Sequence, residues 1–435
     1  MLKKVSWLLV LIMVFSIVLT GCGGGGSDTA PAPSKDQSKD TAEKEQPKEP
    51  VKIGTLYPMS GSMALLGEES FRGAELARLV RNEQGGLWGR PIDFVKADAP
   101  DANAAQAEAD RLITKEGMEL ILGSFSSSLS FAASEVAERN GVSYWELGAI
   151  SDPITERGFQ YLFRTNPTAA TFAKVEVKFI NEVVAPKLGV NPGDLKIAIA
   201  HEDSLYGSTV AGYIEEYAKE GGLSVGLVQP YNSKAVDLSS VIMGLKKYDP
   251  DVVLAISYIT DAILFWRQAK EYDFSPKAFI GTGGGHTMKD FQDALGSDVN
   301  GIFNVDFTQY AVNRDFTPGM DEFIELYKKT YGEEPRSGHS VANYMGAMVL
   351  FDVLEKAGSM DPDAIRKEAL AYEKELGTTP TGWGVKFNPE TGQNELGEPF
   401  VLQWTEDGLV TVWPEGAAVK ELTFPMPTWQ ERAKE

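Results

Sequence analysis

The sequence has few of the residues on which most protein chemistry depends. Its 435 residues include one cysteine, Cys22, and three histidines, at positions 201, 286 and 339. A single cysteine excludes an internal disulfide, and the histidines lack the close spacing that is typical of metal ligands. We therefore expect no metal and no other cofactor.

Basic residues are also scarce. The chain has 41 lysines and arginines against 62 aspartates and glutamates, which gives a formal net charge of −21 at pH 7. An acidic surface repels phosphates, and this excludes nucleic acid as the partner. The length allows two domains or more, and the apolar content of 43% is ordinary for a globular protein.

An apolar run, Trp7–Leu19, follows two lysines and is too short for a typical membrane span. It ends in the letters LTGC, which resemble a bacterial lipobox, where cleavage before the cysteine leaves its thiol to carry a lipid. We predict a lipoprotein signal peptide over residues 1–21 and lipid attachment at Cys22. The alternative is an ordinary secretory signal with a chance cysteine. Residues 22–50 are rich in Gly, Pro and charge, so they are predicted to be a flexible linker that holds the body on the extracytoplasmic face of the membrane.

From Val51 onwards, apolar strands alternate with amphipathic helices, which predicts an α/β fold with doubly wound, mostly parallel sheets. The alternation is interrupted by an irregular stretch at 147–168 and then restarts, which indicates two lobes. Helices are predicted late in the chain at 318–331, 338–357 and 361–374, and a hairpin is predicted around Asp407-Gly408. The predicted crossings between the lobes lie near 165–168, 306–310 and 383–386. The predicted limits are 51–166 with 309–383 for lobe 1, 167–308 with 384–425 for lobe 2, and 426–435 for a C-terminal tail.

One motif tests for catalysis. Residues 222–226, GLSVG, match the hydrolase pattern G-x-S-x-G. That pattern needs a strand before the serine and a helix after it, whereas here a predicted helix precedes it and a predicted strand follows. A dispersed Ser-His-Asp triad stays possible from sequence, but we expect no enzyme.

The loops that follow the predicted strands are rich in Ser, Thr, Gly and Tyr. In open α/β sheets, ligands bind beyond the carboxyl ends of the strands. One such loop, GSFSSS at 123–128, leads into a helix, whose free N–H groups and dipole together with the serine hydroxyls suit a carboxylate. The same serines could serve only to cap the helix. The six loops are 58–67, 123–128, 146–151, 201–207, 257–262 and 281–286.

Several segments in order, among them IGTLYPMSGSMALLGEESFRGAELA, ILGSFSSSLSFAASEVAERNGV and HEDSLYG, resemble the type I periplasmic solute-binding proteins of the branched-chain amino acid (Leu/Ile/Val) transporter group. The resemblance spans 51–425. It implies two lobes, joined by three hinge crossings, that close on a small carboxylate-bearing solute such as an amino acid, a related organic acid or an amide. It also implies an ABC transporter permease as partner, and we expect a monomer. Two alternatives stay open: a sensor of the same fold that signals to a membrane receptor, and a lipid-anchored hydrolase.

The resemblance also assigns ligand-contacting residues. Ser126 and Ser127 are expected to hold the carboxylate, and the backbone of Gly148 and Ala149 to contact the head group. Tyr206 and Tyr258 are expected to face the ligand from lobe 2, and Leu66 to lie where an aromatic residue often covers it.

The chain departs from the family pattern at two of these positions. Ile150 stands where amino-acid binders usually have Thr, and Gly283 stands where Leu/Ile/Val binders carry the acid that pairs with the ligand's ammonium. A buried, unpaired ammonium is costly. Either another carboxylate replaces this acid, with Glu146, Asp203 and Asp261 as candidates, or the ligand has no amine. For Glu146 the alternative is an exposed strand-end carboxylate in a salt bridge.

Overall fold

The structure, a computed structural model, describes residues 48–432. The predicted signal peptide, the predicted lipid attachment at Cys22 and the predicted linker up to residue 47 lie outside the described residues. Within them, no helix combines the length and the apolar character that crossing a bilayer requires.

A first sheet is built from the beginning of the described chain. Its five strands are ordered β2-β1-β3-β4-β5 and all of its pairings are parallel. Helices connect the first four strands, and a loop with one short 3₁₀ turn connects β4 to β5. Because all of the pairings are parallel, the carboxyl ends of all five strands lie at one edge. The elements are β1 Val51–Tyr57, α1 Ala64–Glu83, β2 Ile92–Asp98, α2 Ala102–Thr114, β3 Leu120–Gly123, α3 Ser127–Arg139, β4 Ser143–Glu146 and β5 Leu162–Arg164.

A second sheet of seven strands follows, in the order β14-β13-β10-β9-β8-β6-β7. Its first five strands in the sequence are parallel, and the last two enter antiparallel as the hairpin predicted around Asp407-Gly408. The elements up to β10 are α4 Ala169–Phe179, a π-helical segment Ile180–Val184, α5 Ala185–Leu188, β6 Ile197–Glu202, α6 Leu205–Glu220, β7 Val225–Tyr231, α7 Ser239–Tyr248, β8 Val252–Ile256, α8 Ile259–Glu271, β9 Ala278–Thr282, α9 Lys289–Leu295 and β10 Phe303–Asp306.

After β10 the chain returns to the first sheet. Helix α11 packs closely on α1 at Gly73, where a Cβ atom would lie 2.0 Å from the carbonyl oxygen of Ser340, so only glycine allows this approach. The Tyr57 hydroxyl donates to Asn343 of α11 at 2.8 Å. The remaining elements are α10 Met320–Tyr331, α11 His339–Ala357, α12 Pro362–Leu370, β11 Glu373–Lys374, β12 Val385–Lys386, β13 Phe400–Thr405, β14 Gly408–Trp413 and α13 Trp429–Arg432.

The predicted α/β fold class is confirmed, with two local corrections. The stretch 147–168 was predicted to be irregular, but it contains β5, whose three residues are too few to show a period of two. The helix predicted over 361–374 ends at Leu370, because Glu373 and Lys374 pair with β12. The residue limits of the two predicted lobes stay predictions.

Candidate ligand-binding site

A small inner cavity lies where loops at the carboxyl ends of the two sheets meet. Its volume is about 30 Å³, which is room for one or two water molecules. We call the parts of the protein around the five-stranded sheet and around the seven-stranded sheet the first half and the second half. A larger solute therefore needs these two halves to move apart before it can enter. Seven of the residues predicted to contact a ligand line this cavity: Leu66, Ser127, Gly148, Ile150, Tyr206, Tyr258 and Gly283.

The two predicted carboxylate-binding serines face different spaces. Ser127 lines the inner cavity, and its hydroxyl oxygen accepts a hydrogen bond from the N–H of Ser151 at 3.3 Å. Ser126 instead lines an outer cavity of about 190 Å³, which is also bordered by Lys234. Tyr258 borders both cavities, and its hydroxyl lies 3.3 Å from the hydroxyl of Ser126. The contact between these two side chains is therefore part of the wall between the cavities.

Contacts across the cavity join the loops of the first sheet to those of the second. Besides the pair of Ser126 and Tyr258, the Ser151 hydroxyl donates to the carbonyl of Leu205 at 3.2 Å. The rings of Phe125 and Tyr258 meet edge to face at a centroid distance of 6.3 Å. All of these contacts would break if the halves separated.

The structure corrects one of the two interpretations of Glu146. Its side chain is fully buried, so the alternative of an exposed carboxylate in a salt bridge is wrong. Glu146 does not line the cavity in this arrangement, and its contact with a ligand stays a prediction. The carboxylate accepts backbone N–H bonds from Ser124 at 3.1 Å, Leu147 at 3.0 Å, Gly148 at 2.7 Å and Ala149 at 2.6 Å. Burial raises the pKa of Glu146 to about 7, although these donors favour the ionised form. Glu146 thus holds the loop that lines the cavity.

Arg164 holds the same loop from its carbonyl side. Its guanidinium donates to the carbonyl of Ala149 at 3.1 Å and to that of Ser151 at 2.8 Å. The predicted contact residue Ala149 is consequently engaged at both its N–H and its carbonyl, and it does not line the cavity. Sequence reasoning missed Arg164 because its strand, β5, was itself missed.

The other two candidate acids do not reach the inner cavity. Asp203 is exposed and accepts a long hydrogen bond from Asn232, at 3.4 Å. Asp261, at the start of α8, borders the outer cavity. Its carboxylate accepts hydrogen bonds from the Tyr231 hydroxyl at 2.8 Å and from the N–H of Tyr258 at 3.1 Å.

Two polar residues that sequence reasoning missed, Asp306 and His339, line the inner cavity. One carboxylate oxygen of Asp306 accepts from the hydroxyl of Thr287 at 2.5 Å, and the other has no hydrogen-bond partner among residues 48–432. Burial raises the pKa of Asp306 to about 7 and lowers the pKa of His339 to about 3, so the imidazole is neutral. Asp306 ends a strand, and the strand-end rule that selected the other loops could have found it.

Gly283 is a position where a side chain does not fit. Its φ is +65°, and a Cβ atom there would lie 2.5 Å from the hydroxyl oxygen of Tyr206. That hydroxyl is fixed because it donates to the carbonyl of Thr282 at 2.6 Å. A carboxylate side chain at 283 would therefore require Tyr206 to move.

Comparison with known proteins identifies the family. A family model described as periplasmic binding protein matches residues 50–408. The chain belongs to the periplasmic binding protein family. This family consists of extracytoplasmic solute-binding proteins without enzymatic activity, so the expectation that the chain is not an enzyme is confirmed. Among residues 48–432, no group of three or more His, Cys, Asp or Glu side chains is placed to hold a metal ion.

Relatives of this periplasmic binding protein extend over most of its length. The Leu/Ile/Val-binding protein homolog 7 of Brucella suis is 46% identical over 86% of this chain and 94% of its own. The leucine-binding protein LivK of Thermotoga maritima covers 85% of this chain and 98% of its own at 22% identity, with a TM-score of 0.72. A solute-binding protein of R. palustris in complex with benzoate covers 88% and 98% at 21% identity, with a TM-score of 0.72. The two solved structures show the shared fold.

Proposed function

We propose that this periplasmic binding protein is the solute-binding component of an ABC importer and that it captures a small carboxylate-bearing solute between its two halves. The observation that carries the proposal is the inner cavity, which lies between loops of two sheets and is lined by residues of both. The Leu/Ile/Val-binding name of the Brucella relative supports a solute of amino-acid size.

The carboxylate is assigned to the start of α3. Ser127, the first residue of this helix, lines the inner cavity. The first N–H groups of a helix have no acceptor within the helix, and the positive end of the helix dipole favours an anion there. Ser126 at the N-cap makes no capping hydrogen bond with its side chain, so its hydroxyl is available for the solute or for Tyr258.

Capture requires movement, because the inner cavity holds only one or two water molecules in this arrangement. We infer that the halves open to admit the solute and close again through contacts such as Ser126 with Tyr258. A solute that contacts both halves stabilises the closed form by mass action. The protein would work as a monomer, attached to the membrane through lipid on Cys22, and would present the closed form to a permease.

A thermal-shift screen of the full chain tests this function. We expect at least one carboxylate-bearing solute, among amino acids, aromatic acids, amides and short dicarboxylates, to raise the unfolding midpoint in a concentration-dependent way. Deleting the gene should then abolish high-affinity uptake of that solute by cells. Normal uptake in the deletion strain would contradict the importer role.

A further inference from the structure

The inner cavity is lined by an acid that was not among the residues predicted from the sequence. Gly283 follows the last residue of β9, and it stands where the Leu/Ile/Val binders carry an acid and this chain does not. A side chain there is excluded by the left-handed backbone and by the hydroxyl of Tyr206. Any acid that faces this part of the cavity must therefore come from a neighbouring element.

Asp306 occupies the equivalent position on the next strand. Strands β9 and β10 are parallel neighbours, with Thr282 paired in register with Val305. The residues that follow this pair are Gly283 and Asp306, so both stand at the same edge of the sheet. Both also line the inner cavity. The carboxylate is thus offset from Gly283 by one strand.

Among the residues that the structure describes, no Lys or Arg side chain pairs with the carboxylate of Asp306. Within residues 48–432, the only ion-pair contact found for it is with His339, whose Nδ1 lies 4.0 Å from one of its oxygens. His339 is neutral, since burial lowers its pKa to about 3, and its Nδ1 lies 3.1 Å from the Ser337 hydroxyl. Asp306 is fully buried and one of its oxygens has no partner in this part of the chain. A buried carboxylate in this situation favours a cation that arrives from outside.

We propose that Asp306 receives the protonated amine of the ligand and so makes this cleft selective for solutes that carry both a carboxylate and an ammonium group. This inference rests on the proposed function, because it concerns the same cavity. Ser127, on the first half, receives the carboxylate, and Asp306, on the second half, receives the ammonium. A zwitterion therefore contacts both halves with opposite charges, and its two ends favour closure together.

Calorimetric titration of the full chain with matched pairs of solutes tests the inference. Each pair is an amino acid and its deaminated acid, such as leucine with 4-methylpentanoate, phenylalanine with 3-phenylpropanoate, and glutamate with pentanedioate. For the pair that contains the tightest-binding solute, we expect the amino acid to bind at least about thirtyfold more tightly than its deaminated acid. The deaminated acid leaves the buried carboxylate of Asp306 without a cation, which is costly. In Asp306→Asn this preference should fall to less than about threefold, mainly through weaker binding of the amino acid. Asp203→Asn, at an exposed acid in the same half, should leave the preference unchanged.

The possible failures are distinct. If the wild-type chain binds a deaminated acid as tightly as its amino acid, the role of Asp306 is overturned while the proposed capture of carboxylates stands. The same holds if Asp306→Asn keeps the wild-type preference. If no carboxylate-bearing solute binds the wild-type chain, the proposed function fails and the role of Asp306 fails with it. The wild-type comparison does not depend on whether the variant folds.

Discussion

Glu146 and Arg164 face each other in register on neighbouring parallel strands and hold one loop from opposite sides. The carboxylate of Glu146 accepts hydrogen bonds from the N–H groups of residues 147–149, and the guanidinium of Arg164 donates to the carbonyls of Ala149 and Ser151. Both side chains are fully buried. The loop between them supplies Gly148 and Ile150 to the inner cavity, so its backbone is positioned before any ligand arrives.

The first prediction concerns this arrangement. Glu146→Gln replaces one acceptor oxygen with an NH2 group and leaves buried N–H donors without a partner. We expect the free energy of unfolding at pH 8 to fall by about 1–3 kcal/mol in urea titrations, with weaker solute binding because the loop is less well held. Glu135→Gln, at an exposed position on α3, is the control and should change neither quantity. A variant as stable as the wild type would show that the loop does not depend on Glu146.

The second prediction concerns the carboxylate site. Ser127→Ala removes a hydroxyl from the inner cavity, and a hydrogen bond to a charged group contributes about 1.5–3 kcal/mol. We expect the affinity for the solute found in the screen to fall by about tenfold or more. Ser128→Ala, one residue further along the same helix and bordering the outer cavity, should change the affinity less than twofold. Equal effects of the two substitutions would contradict the assignment of Ser127.

The third prediction concerns the wall between the two cavities. Ser126 and Tyr258 touch across the halves, so their contact exists only when the halves are together. Ser126→Ala and Tyr258→Phe should each speed solute release several-fold in stopped-flow experiments. The double variant should release the solute no faster than the faster of the two single variants, because both substitutions remove the same contact. Additive effects would mean that the two hydroxyls act independently.

The fourth prediction concerns pH. Burial raises the pKa of Glu176 to about 8, although its carboxylate accepts a hydrogen bond from the Thr282 hydroxyl. The folded state therefore binds more protons than the unfolded state between pH 4.5 and 8, so this group's contribution to stability is lost as the pH rises. Relative to the wild type, Glu176→Gln should gain up to about 1.4 kcal/mol of unfolding free energy per pH unit from pH 5 to 8.

Denaturant titrations across this pH range measure the effect of Glu176→Gln. Glu215→Gln, at an exposed position on α6, serves as the control and should show no such trend. A pH-independent difference between Glu176→Gln and the wild type would show that Glu176 is ionised throughout the range.

The sequence predicted the alternation of strands and helices because each strand is a buried apolar run and each helix has a regular apolar face. The sequence could not predict the direction in which a buried side chain points or which groups it bonds. Glu146 ends a strand beside the cavity, as the pattern indicated, yet four backbone donors hold its carboxylate. Asp306 was missed because its relation to Gly283 depends on the pairing of β9 with β10, and strand pairing is a property of the fold.

Closure of the two halves over a solute is tested most directly by small-angle X-ray scattering of the full chain, with and without a saturating solute whose binding calorimetry has established. The inner cavity of about 30 Å³ is too small to hold such a solute in this arrangement, so the solute enters only when the halves are apart. The radius of gyration should therefore decrease on saturation in the wild type. An unchanged radius of gyration in a chain that calorimetry shows to be saturated would contradict capture by closure.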